Sequence, residues 1–476
     1  MTTPLPASSP SAEGVDAAGI GRFLDALESL PGTVPHGFVL LRHGRVVAEG
    51  WWAPFTPDRL HLLYSLSKTF TSTALGFAVA EGLVGLDDAI VDHFPEFEAE
   101  ITGPRSRRIR VRDVLPMASG HLVDMINIAA GTDPHEPVRG FLLHEPESDP
   151  GSVFTYNQPA TYSVATIVQK ESGQRLVDYL RPRLLDPIGI GEIGWQQFPE
   201  GRDMGFSGLH ATTRDVARLG QLYLDGGLWE GKRVLPEGWA EEVPRKRIET
   251  APGETEPDWA LGYGYQIWIS RHGWRMDGAF GQFCLVLPEQ DAVLAITEAA
   301  EPAGPVLEAV WEHLLPAFSD GPVDGSADAA LADRLLHLEV PVRPGAEQPD
   351  ADPQAWEGAY GPDAASDAPF VGVVLERADG AWTVTVDDGA QQARLPAARP
   401  GWTTVEASDG VAPIAVSGGW SGNVLALDLT FLETPHRIEL EVRREDRRFR
   451  ARWVPEPLGF LPDQRALGMA APPVLG

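Results

Sequence analysis

The sequence predicts an α+β fold, an antiparallel sheet flanked by helices and interrupted by an all-α insertion, with an all-β domain after it. Strand-like runs open the chain and return only after a long helical stretch, so the sheet is begun early and rejoined late. A segment rich in Asp, Pro, Ala and Gly at 319–354 has the composition of a linker. Beyond it, each strand-like run alternates apolar with polar residues, which gives a small barrel or sandwich with one wet face per strand.

Taken in order, residues 1–14 read as a flexible arm. The alternation from His36 to Gly50 reads as a hairpin turning at His43-Gly44. After Ser65 the run KTFTSTALGFAVAEGLV has apolar residues at helical spacing and closes on Gly82, which predicts a buried helix beginning at the serine. From about 92 to 202, helical segments broken by Pro and Gly form the insertion, including one helix over 160–185 that ends at Arg181-Pro182. Strands follow at 263–270, 282–288 and 292–297, then a helix over 306–315, completing a first domain at 15–318. The linker at 319–354 carries one short helix at 327–338. In the last domain, 355–476, the alternating runs are 382–386, 425–431, 438–442 and 449–453.

At 476 residues the chain exceeds what one hydrophobic core serves. A hydrophobic fraction of 43% with 14 Trp and 18 Phe belongs to a packed protein. A formal charge of -30 disfavours nucleic acid and anionic membrane surfaces as partners. Cys284 is the one cysteine, which excludes an internal disulfide and a multi-thiolate zinc site. No stretch approaches the roughly 20 apolar residues of a membrane span, and the N-terminus has no apolar leader, so the expected location is the cytoplasm.

A serine hydroxyl needs a base within hydrogen-bond reach to become a nucleophile at neutral pH. In Ser65-Leu-Ser-Lys68 the serine and lysine are one helical turn apart and share a face. Burial strips solvent from such a lysine, lowers its pKa and leaves a neutral amine able to take the serine proton. The helix N-terminus adds N–H groups suited to an oxyanion. The chain has four lysines, so roughly 0.2 such pairs arise by chance; a serine N-cap with a solvated lysine gives the same spacing. Two later segments support chemistry. Pro150-Gly-Ser-Val-Phe-Thr-Tyr156-Asn157-Gln158 delivers a tyrosine that can shuttle a proton, with polar neighbours suited to substrate. Gly278 and Gly281 allow close backbone approach, and an N–H there could complete an oxyanion hole, although glycine pairs mark bulges or turns more often than sites.

These three elements, in this order, resemble the family of class C β-lactamases, DD-peptidases, esterases and linear-oligoamide hydrolases, over about residues 15–318. Tyr64-Ser-Leu-Ser-Lys68 looks like its Ser-x-x-Lys motif, Tyr156-Asn157-Gln158 falls at its Tyr-x-Asn, and Gly278-Ala279 falls at its Lys-x-Gly or His-x-Gly. The resemblance implies that Ser65 is acylated, that Lys68 and Tyr156 move protons as general base and acid, and that the amides of Ser65 and Ala279 bind the oxyanion. It also implies that Asn157, Gln158, Asp277 and Gly278 face substrate, with no cofactor or metal. Gln158 replaces an Asn and keeps the amide. Met276 stands where a cation would receive a substrate carboxylate, with Asp277 beside it, so the cation is missing unless Arg275 reaches in. That departure favours a small-molecule ester or amide over a β-lactam or peptidoglycan stem. A β-lactamase or DD-peptidase of the same fold is the first rival. A binding module that lost its chemistry is the second, against which the intact Ser65, Lys68 and Tyr156 count.

Two other matches fail on context. Gly189-Ile-Gly-Glu-Ile-Gly194 opens no apolar helix, and Gly226-Gly-Leu-Trp-Glu-Gly-Lys232 is followed by Arg233 where a P-loop has Ser or Thr. Tyr263, Tyr265 and Trp268 read as core aromatics, one of which could line an acyl pocket.

Overall fold

The computed structural model describes residues 4–250, 256–350, 352–368, 370–408, 411–459 and 474–475. Its first half is built on six antiparallel strands in the order β2-β1-β6-β5-β4-β3. These are β1 (Thr33–Arg42), β2 (Arg45–Trp51), β3 (Trp268–Ser270), β4 (Gly273–Gly278), β5 (Gln282–Leu287) and β6 (Ala292–Ala300). Helices α1 (Ala17–Ser29), α2 (Ser67–Ala80), α3 (Gln158–Ser172), α4 (Thr213–Leu224), α5 (Gly304–Ala309) and α6 (Asp328–Leu335) pack around it.

Both faces of this sheet are dry, which is why its strands read as unbroken apolar runs. Phe38, Leu40, Phe283, Leu285, Leu294 and Ile296 meet Ile20, Phe23, Leu24 and Leu27 of α1. Val39, Leu41, Cys284, Val286, Val293 and Ala295 share the opposite core with α2, α4 and the helical insertion. α2 is buried almost all round, so its sequence shows little polar face. Among the described residues no helix is long and apolar enough to cross a membrane.

The second core belongs to a nine-stranded sheet that is nearly closed into a barrel. Its strands are β7 (Gly358–Pro362), β8 (Gly372–Ala378), β9 (Ala381–Asp387), β10 (Gln392–Ala397), β11 (Thr403–Val405), β12 (Ile414–Ser421), β13 (Val424–Phe431), β14 (Arg437–Arg443) and β15 (Arg448–Val454). Their order is β10-β9-β8-β7-β15-β14-β13-β12-β11. On β9, β14 and β15 every second residue is buried, as the alternation predicts.

Several elements differ from expectation. The stretch 160–185 is not one helix: Gly173 takes φ 68° and ends α3, and Leu176–Leu180 then runs into a π-helical turn, Arg181–Leu185. The run 263–270 is strand only at β3, and β4 is a strand that the sequence reading did not mark. Residues 4–14 do not hang free, because the Val46 N–H donates to Pro6 O (2.8 Å) and the Ser8 N–H to Val46 O (3.0 Å), extending the sheet edge. The 319–354 segment is tied down as well. Leu331 and Leu338 enter the α1 core, and Ala53 exchanges backbone bonds with Leu338 and Val340 (2.9 and 2.8 Å).

Candidate active site

Ser65 does not open α2 itself. It sits in a single 3-10 turn, Tyr64–Leu66, just before the helix, and Tyr64 is held at φ 48°, a left-handed conformation that non-glycine residues avoid. Lys68 lies in the first turn of α2 with 1% of its surface exposed. Its Nζ is 2.8 Å from Ser65 Oγ and donates to the Phe206 carbonyl at 2.8 Å. Desolvation lowers its pKa to about 7, against the pull of Asp124 and Asp277, so the amine is substantially neutral at physiological pH.

Tyr156 arrives on the loop before α3. Its ring stacks on Trp268 (centroids 5.7 Å, planes at 22°) and meets Tyr263 edge-on, and Lys68 Nζ lies 4.7 Å from its centroid. Burial raises the phenol pKa well above its ordinary value, despite a hydrogen bond with the Ser65 hydroxyl. Tyr156 therefore keeps its proton at neutral pH. Trp268 and Tyr263, read as core aromatics, are its packing platform.

The third segment closes the site. A Cβ on Gly278 would sit 2.2 Å from Leu63 O, so its absence lets the end of β4 pack against the turn that carries Ser65. Ala279 and Ser65 are partly exposed while their neighbours Gly278, Phe280 and Leu66 are buried.

Three predicted substrate contacts are placed differently. Asn157 is fully buried; its Oδ1 accepts from the Met125 N–H (2.9 Å) and its Nδ2 donates to Ser119 Oγ (3.1 Å), so it braces the 119–125 loop. Gln158 is also buried, and its side chain turns to Asp124 rather than to Lys68. Asp277, 11% exposed in its side chain, is paired with Arg275 at 2.9 Å and is not a bare negative charge; burial raises its pKa in spite of that pairing. Arg275 itself is fully buried, donating also to Asp258 O (3.0 Å) and Ser270 Oγ (2.9 Å), so it does not reach in as the missing cation. Met276 turns into the core.

Sequence reasoning missed Asp124, which accepts from the N–H groups of Gln158 (3.0 Å) and Ile126 (3.2 Å) and acts electrostatically on Lys68. Its carboxyl pKa is raised by burial. No short motif marks it, because its place beside Lys68 depends on a loop some sixty residues away in sequence. A cavity of about 650 Å³ lies between the two cores, lined by His36, Trp52, Trp402 and His436 among others, and neither Ser65 nor Lys68 borders it.

A family model, Beta-lactamase, matches residues 23–315. A 6-aminohexanoate-dimer hydrolase of Paenarthrobacter ureafaciens is 30% identical over 241 residues, 47% of this chain and 60% of that protein. A D-aminopeptidase of Brucella anthropi is 27% identical over 191 residues, 35% of each chain. The alignments thus span less than two thirds of both curated relatives. A penicillin-binding protein homologue from Caulobacter crescentus shares the fold, with a TM-score of 0.52 at 18% identity over 66% of this chain and 100% of the other. The family match, which spans more than half of the chain, shows that this chain belongs to the beta-lactamase family of hydrolases.

Proposed function

We propose that the protein is a serine hydrolase that cleaves an ester or amide through an acyl-enzyme on Ser65. The observation that carries this reading is the desolvated Lys68 amine 2.8 Å from Ser65 Oγ. Neutral Lys68 takes the Ser65 proton as Oγ bonds to the substrate carbonyl carbon. The resulting oxyanion is received by the Ser65 and Ala279 N–H groups. Tyr156 gives its proton to the leaving oxygen or nitrogen as the carbonyl bond to it breaks, and the Lys68 ammonium returns a proton to Tyr156. Water then attacks the acyl-enzyme by the same path in reverse, regenerating Ser65 and releasing the acid.

Acyl donors without a carboxylate beside the scissile bond fit best, since Met276 is in the core and Arg275 is committed to Asp277. Leu122 and Val123 are 57% and 53% exposed on the loop that carries Asp124. The relative named for 6-aminohexanoate-dimer hydrolysis supports including amides.

The test is Ser65→Ala against p-nitrophenyl acetate, with fluorophosphonate labelling mapped by peptide mass. Loss of at least about 10³-fold in kcat, with Ser65 the labelled residue, is expected. Activity within about tenfold of wild type would remove Ser65 from the mechanism.

A further inference from the structure

The two residues assigned to the oxyanion hole each have a strained neighbour. Tyr64, just before Ser65, is at φ 48°, and Phe280, just after Ala279, is at φ 64°. Aromatic residues hold such conformations only where their surroundings over-determine them. Both rings turn to the same place, a histidine of the C-terminal sheet. Tyr64 and Phe280 meet edge-on at 5.3 Å, and His436 stands edge-on to both, at 5.8 Å from Tyr64 and 5.1 Å from Phe280. Leu62, Ala279 and Leu458 close this small cluster.

The polar bonds fix its geometry. His436 Nδ1 lies 2.9 Å from the Pro455 carbonyl, which can only accept, so Nδ1 carries the ring proton. Nε2 is then the acceptor, and the Tyr64 hydroxyl, 2.5 Å away, donates to it. Burial supports both states, holding His436 neutral with a pKa near 4 and pushing the Tyr64 phenol well above its usual value. The loop carrying His436 is itself docked beside the nucleophile turn: the Leu62 N–H donates to Glu433 O (2.8 Å), and Arg59 pairs with Glu406 (3.1 Å) and reaches Glu433 (3.9 Å). On the other side of the hole, Gln282 Nε2 holds the carbonyls of Ala279 (3.2 Å) and Phe280 (3.1 Å).

We propose that His436 is a positioning residue for the reaction at Ser65, and that through it the C-terminal β-sheet is a working part of the active site rather than an appended module. His436 touches neither Ser65 nor Ala279. It fixes Tyr64, whose backbone sets the direction of the Ser65 N–H, and Phe280, which anchors the chain on the far side of Ala279. The inference rests on the acyl-enzyme reading given above, and it assigns a role to a contact between residues 372 positions apart in sequence.

The test uses full-length His436→Ala, His436→Gln and Tyr64→Phe, with Ser65→Ala as control. Readouts are kcat and KM for p-nitrophenyl acetate, the fluorophosphonate labelling rate of Ser65 and the thermal midpoint. His436→Ala should lower kcat and labelling by about 10- to 100-fold with KM within about threefold, because donor misplacement acts on the transition state. His436→Gln, whose amide oxygen can accept from Tyr64, should recover most of the loss. Tyr64→Phe should resemble His436→Ala, and the double variant should be no slower than either single one. Should His436→Ala fail to fold, Tyr64→Phe removes the same hydrogen bond while keeping the ring. A folded His436→Ala, or failing it Tyr64→Phe, with kcat within about threefold of wild type overturns the proposal. An active Ser65→Ala would instead overturn the acyl-enzyme reading itself, so the two failures are distinguishable.

Discussion

Lys68 shows how a side chain's surroundings set its acid–base role. Desolvation on all sides moves its pKa to about 7, and the carboxylates Asp124 and Asp277 keep it from falling further. The mechanism proposed above needs the unprotonated amine, so kcat/KM for a neutral ester should rise about tenfold per pH unit below pH 7 and level off above it. A profile flat from pH 5 to 9 would show that Lys68 is not the base. Removing the negative charge of either acid has a defined direction too: the Lys68 pKa falls, and the rising limb moves to lower pH. At this scale Ser65 and Lys68 were legible because their partnership is local, three residues apart in one turn. Asn157 and Asp277 were legible as positions but not as roles. Whether a polar side chain faces substrate or a neighbouring loop is decided by Met125, Ser119 and Arg275, which lie 32, 38 and 2 residues away.

Among the elements, β9, β13, β14 and β15 could be read from their alternation, because one side chain in two had a single environment, and β5 and β6, dry on both faces, from unbroken apolar runs. The 3-10 turn at Tyr64–Leu66 could not, since its left-handed Tyr64 is imposed by contacts from β4 and from the C-terminal sheet rather than by local propensity. β4 was hidden for a similar reason. Its residues alternate between Arg275 and Asp277 on one side and Trp274 and Met276 on the other, and the buried ion pair breaks the usual apolar pattern. The meeting of β4 with the nucleophile turn depends on Gly278. In Gly278→Ala the new Cβ would press on the Leu63 carbonyl, which is backbone and cannot swing aside. The strand end and the turn should separate by several tenths of an ångström, lowering kcat by about 10- to 100-fold and costing ~1–3 kcal/mol of stability. Wild-type kcat and thermal midpoint in this variant would show that the two backbones do not need each other.

The whole molecule adds a field that no single residue shows. With 68 acidic and 38 basic residues, its charge of -30 repels anions at distances set by ionic strength. The screening length is about 30 Å at 0.01 M salt and about 10 Å at 0.1 M, so at low salt the repulsion extends well beyond the rim of the site. Pairing of Asp277 with Arg275 removes one local source of that repulsion and leaves the global one. An anionic ester should therefore gain about 3- to 10-fold in kcat/KM as salt rises from about 0.01 to 0.15 M, whereas a neutral ester of the same shape should change by less than about twofold. The neutral ester controls for salt effects on the enzyme itself, including weakening of surface ion pairs such as Lys170 with Glu96. A gain shared by both substrates would locate the effect in the protein's structure. A loss confined to the anionic ester would mean that the local potential at the mouth of the site is positive, and that the net charge is carried on faces remote from it.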